Sequence, residues 1–175
     1  MSAQANPKLA LRPYLPADAL LLAEIFRASV QELTAEDYSE AQRGVWAAAA
    51  DDEAAFGARL ARELTLVATI GGSVAGFVSL KGADELDLIY VHPAVAGQGI
   101  GAMLCDAVER LAAARGIPRL VVDASDSARG FFERRGYVAQ QRNTVFLGDE
   151  WLANTTMEKK LTPKGTRGST PGPAK

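Results

Sequence analysis

The sequence predicts one α/β domain: a mixed, mostly antiparallel sheet of about six or seven strands with helices on both faces. Two observations carry this. Apolar residues repeat with helical spacing in some stretches and form short β-rich runs in others, in the order β, helices, β-β-β, α, β, α, β-β. Glycine and proline fall between these stretches, where turns and helix ends need them. A chain of 175 residues suits one domain and leaves little room for a second core. The domain is assigned to residues 1–161. From Thr162 the sequence TPKGTRGSTPGPAK has no aromatic or branched apolar residue to bury, so 162–175 reads as a disordered tail.

Leu9 and Leu11 alternate with Ala10 and Arg12 as a short first strand. Pro16-Ala17-Asp18 then opens a helix carrying Leu20, Ile25 and Phe26. A second helix starts near Ser39, with Gln42 three residues on in the capping-box position, and a third runs from about Asp51 to Glu63. Leu64 to Ile70 and Val74 to Leu80 flank Gly71-Gly72-Ser73, which suits a hairpin turn, and Glu85 to Val91 extends the meander. A long helix follows with Met103, Leu104, Ala107, Val108 and Leu111 on one side, ending at Gly116 before Pro118. Leu120 to Asp123 is the next strand and the parallel neighbour of Glu85 to Val91, reached by a right-handed crossover. A short helix from about Asp126 to Arg135 and two strands within Tyr137 to Leu147 and Trp151 to Leu161 complete the order.

Composition excludes several classes of function. A net charge of −2 and a pI near 5.5 give no pull toward phosphate backbones, and no basic patch is evident, so nucleic acid is not the expected partner. The domain is the more acidic part, because Lys164, Arg167 and Lys175 of the tail have no acidic neighbour there. One cysteine and one histidine cannot build an ordinary structural zinc site or an internal disulfide, so no metal is expected. No apolar run is long enough for a bilayer and no signal-like start is seen, so the expected setting is cytoplasmic, away from membranes.

The chemistry concentrates where a strand meets the long helix, in Val91-His92-Pro93-Ala94-Val95-Ala96-Gly97-Gln98-Gly99-Ile100-Gly101. Small residues let a ligand approach the backbone, and the first helical turn offers unpaired N–H groups at the positive dipole end, which suits a pyrophosphate. Strict alternation along the preceding strand places Glu85, Asp87, Ile89 and Val91 on one face and Leu86, Leu88 and Tyr90 on the other. Two neighbouring carboxylates would raise one pKa toward neutrality, as a general base for an amine requires. A solvated strand face explains the same residues without chemistry. His92, at a strand end before proline, reads as a loop side chain, and Cys105 as a buried thiol. Trp46 reads as core packing and Tyr38 as exposed, although both could line an acceptor pocket.

These motifs, with the later Ser125-Asp126-Ser127-Ala128-Arg129-Gly130-Phe131-Phe132-Glu133-Arg134-Arg135-Gly136-Tyr137, resemble the GNAT superfamily of acyl-coenzyme A-dependent acetyltransferases over residues 8 to 161. Trp151-Leu152-Ala153-Asn154 with Met157-Glu158-Lys159 further resembles its YafP-like bacterial branch. The resemblance implies central strands splayed around Val91 and acetyl transfer from acetyl-CoA to a primary amine of a small molecule or peptide by direct attack. It implies that the backbone of Ile89, Tyr90 and Val91 holds the pantetheine and thioester. It assigns the pyrophosphate to N–H groups of Gly97, Gln98, Gly99, Ile100, Gly101 and Ala102, and sets Ser125 near the coenzyme arm. In several members an acid six residues before the position of Val91 is the base, which here is Glu85, with Asp87 beside it. Two departures stand out. Ala96 replaces the usual Gln or Arg, and Phe132 falls where a tyrosine often protonates the leaving thiolate.

Those departures leave a second reading, a non-catalytic acyl-CoA-binding sensor. A third is a nicotinamide-dinucleotide enzyme, since Gly97 to Ala102 also fits G-x-G-x-x-A with Asp123 about twenty residues on. A serine hydrolase is excluded by the lack of a G-x-S-x-G elbow. The acceptor is unnamed by the sequence, and a homodimer is compatible with it.

Overall fold

The structure, a computed structural model, describes residues 7–162. The expected tail lies, apart from Thr162, outside the described residues. Seven strands form one sheet: β1 (Leu9–Pro13), β2 (Leu64–Ile70), β3 (Ser73–Lys81), β4 (Glu85–Val91), β5 (Arg119–Ser125), β6 (Val138–Leu147) and β7 (Glu150–Lys160), in the order β1-β2-β3-β4-β5-β7-β6. Every neighbouring pair is antiparallel except β4 and β5. The predicted fold class is thus the observed one. The dinucleotide alternative fails here, because that fingerprint belongs to a parallel doubly wound sheet and this sheet has a single parallel pair.

Five α-helices cover the two faces. α1 (Ala19–Leu33), α2 (Glu40–Ala47) and α3 (Glu53–Arg62) bury Leu22, Ile25, Phe26, Phe56 and Leu60 against Val67, Phe77 and Leu88. On the other face, α4 (Ile100–Ala114) and α5 (Asp126–Arg134) bury Leu104, Val108 and Phe132 against Val78, Leu86, Leu120 and Met157. Each such side chain contributes about 1.5–3 kcal/mol by leaving water. None of these helices is long and apolar enough to cross a membrane.

Local chemistry sets the helix ends. Ser39 Oγ accepts the Gln42 N–H at 3.1 Å and Gln42 Oε1 accepts the Ser39 N–H at 2.9 Å, the reciprocal cap read from the sequence. Asp52 caps α3 by accepting the Ala55 N–H at 2.9 Å. α4 closes on Gly116 at φ +77°, with the Ile117 N–H reaching back to the Ala112 carbonyl at 3.0 Å.

Two apolar faces differ from expectation. Leu20 is exposed, and α1 buries Leu22, Ala23, Ile25, Phe26 and Val30, because Pro16–Asp18 forms a separate 3-10 turn and α1 begins only at Ala19. In α4 the buried line is Ile100, Leu104, Cys105, Val108 and Ala112. The helix starts at Ile100, which drops into the core and rotates the buried stripe by one residue relative to the expected one.

The strand carrying the site departs more consequentially. Ser79 of β3 faces Leu88, yet the next residue, Leu80, faces Leu86, so Asp87 is an extra residue in β4. This β-bulge interrupts the alternation. Leu86, Ile89 and Val91 pack on the α4 side, whereas Leu88 and Tyr90 pack on the α1–α3 side, and Asp87 reaches Arg59 of α3. Asp87 therefore does not share a face with Ile89 and Val91, as strict alternation requires.

Candidate active site

β4 and β5 pair at only two positions, Glu85 with Val121 and Leu86 with Val122. Beyond them β4 stays with β3 up to Val91, and β5 stays with β7 up to Ser125. The bulge at Asp87 lies where the two strands part, and one extra residue on one strand is expected to increase local twist. Between the parted strands lies a cavity of about 470 Å³, lined by Leu88 to Val91 on one side and Val122 to Ser125 on the other. The β4 edge facing it has no strand partner, so its peptide groups are available to an extended polar ligand.

The glycine-rich segment delivers a helix start beside this cleft. After β4, His92 Nδ1 accepts the Ala94 N–H at 3.0 Å and caps a 3-10 turn over Pro93–Val95, which confirms it as a loop side chain. Gly97 and Gly99 take φ +79° and +83°, and Gly99 is the N-cap of α4. An added Cβ would meet nothing at either position, so backbone conformation alone demands glycine there. The N–H groups of Ile100, Gly101 and Ala102 open α4 without intrahelical partners. Gly76 serves the cleft by proximity instead: a Cβ there would lie 2.7 Å from the Tyr90 carbonyl oxygen. Gly101 and Val91 both line the cavity and lie close together, a Cβ added at Gly101 falling 3.9 Å from Val91 Cγ2.

Of the two acids singled out in the sequence, Asp87 lines the cavity. Glu85 sits at the paired end of β4, opposite Lys81 and Val121, away from the cavity lining. Arg59 donates from Nε and Nη2 to the same Asp87 oxygen, Oδ2, at 3.0 and 2.7 Å, which leaves Oδ1 clear of the guanidinium. The second carboxyl near Asp87 is Glu63, at the C-terminal cap of α3. Burial, then Asp87, push the Glu63 carboxyl up to about 7. The sequence reading took Glu85 as the base with Asp87 beside it; the packing of α3 brings Glu63, which that reading did not single out, near Asp87. A glutamate ending a helix just before a strand gave no signal that it faces a strand two places away in the sheet.

Other residues fall as follows. Ser125 caps α5, its Oγ accepting the Ala128 N–H at 3.1 Å while its own O–H stays free to donate into the cleft. Phe132 lines the inner cavity wall as a buried ring. Tyr137 packs behind it at 5.0 Å between ring centroids, outside the cavity lining. Burial raises the Tyr137 hydroxyl far above its ordinary value and pushes the Cys105 thiol up to about 11, so neither is a ready acid or nucleophile. Tyr38, expected to be exposed, is 5% exposed. It lines the cavity with Trp46, the two rings edge-on at 5.2 Å. The described residues contain no cluster of three or more His, Cys, Asp or Glu able to hold a metal ion.

A parallel pair parted over a cavity, with a left-handed glycine cap aiming free helix N–H groups beside it, defines the coenzyme A-dependent acetyltransferase class. The chain belongs to the GNAT acetyltransferase family, whose domain model matches residues 34–161. It is 29% identical over 150 residues to the uncharacterized N-acetyltransferase YafP of Escherichia coli K12, covering 86% of this chain and 95% of that protein. A crystal structure of a GCN5-related N-acetyltransferase from Rhodopseudomonas palustris is 58% identical, covers 92% of this chain and 99% of its own, and superposes with a TM-score of 0.86. The fold is also shared with YncA of Salmonella typhimurium, solved with acetyl-CoA, at 20% identity and TM-score 0.64, over 93% of this chain and 99% of that one.

Proposed function

We propose that the protein transfers the acetyl group of acetyl-CoA to a primary amine of a small molecule or protein, by direct attack and without a covalent enzyme intermediate. The observation that carries this reading is the unpartnered β4 edge running from the bulge to Val91, next to the free N–H groups of α4. Backbone groups of Ile89, Tyr90 and Val91 hold the pantetheine and thioester. The N–H groups from Gly97 through Ala102 hold the pyrophosphate, and the Ser125 hydroxyl donates toward the coenzyme arm. A backbone N–H near Val91 stabilises the oxyanion of the tetrahedral intermediate.

Asp87 is the base. Its Oδ1 takes a proton from the acceptor ammonium, the freed amine forms the C–N bond, and the C–S bond breaks to release the coenzyme thiolate. With Phe132 in place of an acid, the thiolate leaves unassisted by a side chain and takes its proton from solvent; a thiol pKa of about 8.5 makes that tolerable. The carboxylates Asp87 and Asp123 both line the cavity and favour a cationic acceptor.

Calorimetric titration with acetyl-CoA, free CoA and NADPH tests the cradle: micromolar binding of the first two and none of the third is expected. Thiol release across an amine library then tests the chemistry. Asp87→Asn should lower turnover by about 10²- to 10⁴-fold while Glu85→Gln stays within about twofold, and equal losses in both would remove Asp87 from its role.

A further inference from the structure

Glu63 is a buried acid with no assigned task. It caps the C-terminal end of α3, where the helix dipole disfavours an anion. Its side chain is 7% exposed, against 11% for Asp87 and 36% for Arg59. Its Oε2 is buried without a hydrogen-bond partner, and so is the hydroxyl of neighbouring Ser79 on β3, which favours the ionised carboxylate but by less than burial and Asp87 oppose it. An ionised carboxylate left with an unpartnered buried oxygen is costly, whereas a protonated carboxyl turns that oxygen into a donor. The acceptor at hand is Asp87, which lies against Glu63.

The charges point the same way. Arg59, Asp87 and Glu63 are the charged groups here, with Arg59 Nε 3.7 Å from Glu63 Oε1 and bonded twice to Asp87, while Tyr90 beside them stays neutral because burial raises its hydroxyl far above the ordinary value. One cation faces two carboxyls. The cluster is neutral only when the carboxyls hold one proton between them, and half-buried sites disfavour the extra negative charge.

We infer that Glu63 and Asp87 form a carboxyl pair sharing one proton, and that Glu63 is the positioning residue which sets the pH at which Asp87 works as a base. This rests on the reading of Asp87 as the base of acetyl transfer. The singly protonated pair, with Glu63 donating to Asp87, is the resting form at acid pH. Losing that proton near neutrality removes the donor from Asp87, whose oxygen is then open to the ammonium proton. Before the C–N bond forms the pair takes one proton from the ammonium, and it later passes that proton to solvent, which restores the base. The second leaves the nitrogen for solvent as the tetrahedral intermediate collapses, and the thiolate takes up one in return, so the reaction releases one proton overall.

The test is a carbon-13 NMR titration of the full chain labelled at glutamate side-chain carboxyls, which needs no turnover. In the wild type one glutamate should titrate near pH 7, and its resonance should vanish in Glu63→Gln. In Asp87→Asn the midpoint of the same resonance should fall by at least about one pH unit, because its charged partner is gone. A Glu63 midpoint near the ordinary 4.5, or one that stays near 7 in Asp87→Asn, overturns the pair, the latter by showing that burial alone sets it. Unchanged acetyl-CoA affinity in both variants establishes that each is folded. Failure of the pair is distinct from failure of the base: loss of the titration removes the pair whatever Asp87 does, while full thiol release by Asp87→Asn removes the base and leaves the titration standing.

Discussion

A guanidinium that places both of its bonds on one oxygen of Asp87 fixes that carboxylate without consuming it. The same arrangement leaves Glu63 with a buried unpartnered oxygen, and its raised carboxyl makes stability depend on pH. The folded-state value of about 7 lies above the unfolded 4.5, so its stabilising effect is fully present below pH 4.5 and lost as pH rises through 7. The loss amounts to at most about 3–4 kcal/mol, since each tenfold change in proton affinity corresponds to about 1.4 kcal/mol. Urea unfolding across this range should show the wild type losing stability relative to Glu63→Gln as pH rises; parallel curves would refute it. At this scale Asp87 was legible as a candidate base, but its neighbour was not. Glu85 stood two residues away in sequence, whereas Glu63 comes from a helix end, and only packing brings it to the β4 bulge.

Among the elements, the segment from β4 through α4 carries the proposed binding function. β4 has the bounds that its β-rich run predicts, and α4 starts where Gly99 adopts the left-handed conformation. Gly99→Ala adds a Cβ that touches nothing but strains the backbone by about 1–2 kcal/mol. Part of that strain is relieved by distorting the cradle, so acetyl-CoA should bind roughly five- to thirtyfold more weakly with the fold retained. Calorimetry beside a thermal melt checks both, and unchanged affinity would show that the αL cap does not shape the phosphate site. The caps and glycines were readable because each acts within four residues of its own position. The buried stripe of α4 was off by one residue because its phase is fixed where Ile100 enters the core.

The molecule as a whole is closed by a contact across 115 residues. Tyr38, between α1 and α2, donates to the Ala153 carbonyl of β7 at 2.7 Å and accepts the Asp126 N–H of α5 at 2.9 Å. One buried hydroxyl thus ties the amino-terminal helices to both elements that close the cavity. Burial raises this hydroxyl above its ordinary pKa, which keeps it a donor throughout the neutral range. Tyr38→Phe leaves both partners unsatisfied, at a cost of about 1–3 kcal/mol. For a domain of this size the expected drop in Tm is roughly 3–10 °C, read in a thermal melt, and no drop would show that solvent replaces both bonds.

The sequence by itself determined the order of elements, their caps and turns, the glycines that lead into α4 and the family resemblance. All of these are local patterns, set by residues within a few positions of one another. The tertiary structure decided the parting of β4 from β5, the face on which Asp87 lies, and the identity of its carboxyl partner. A single extra residue opposite Ser79 reverses the alternation of a strand, and that residue shows only in the register of paired chains.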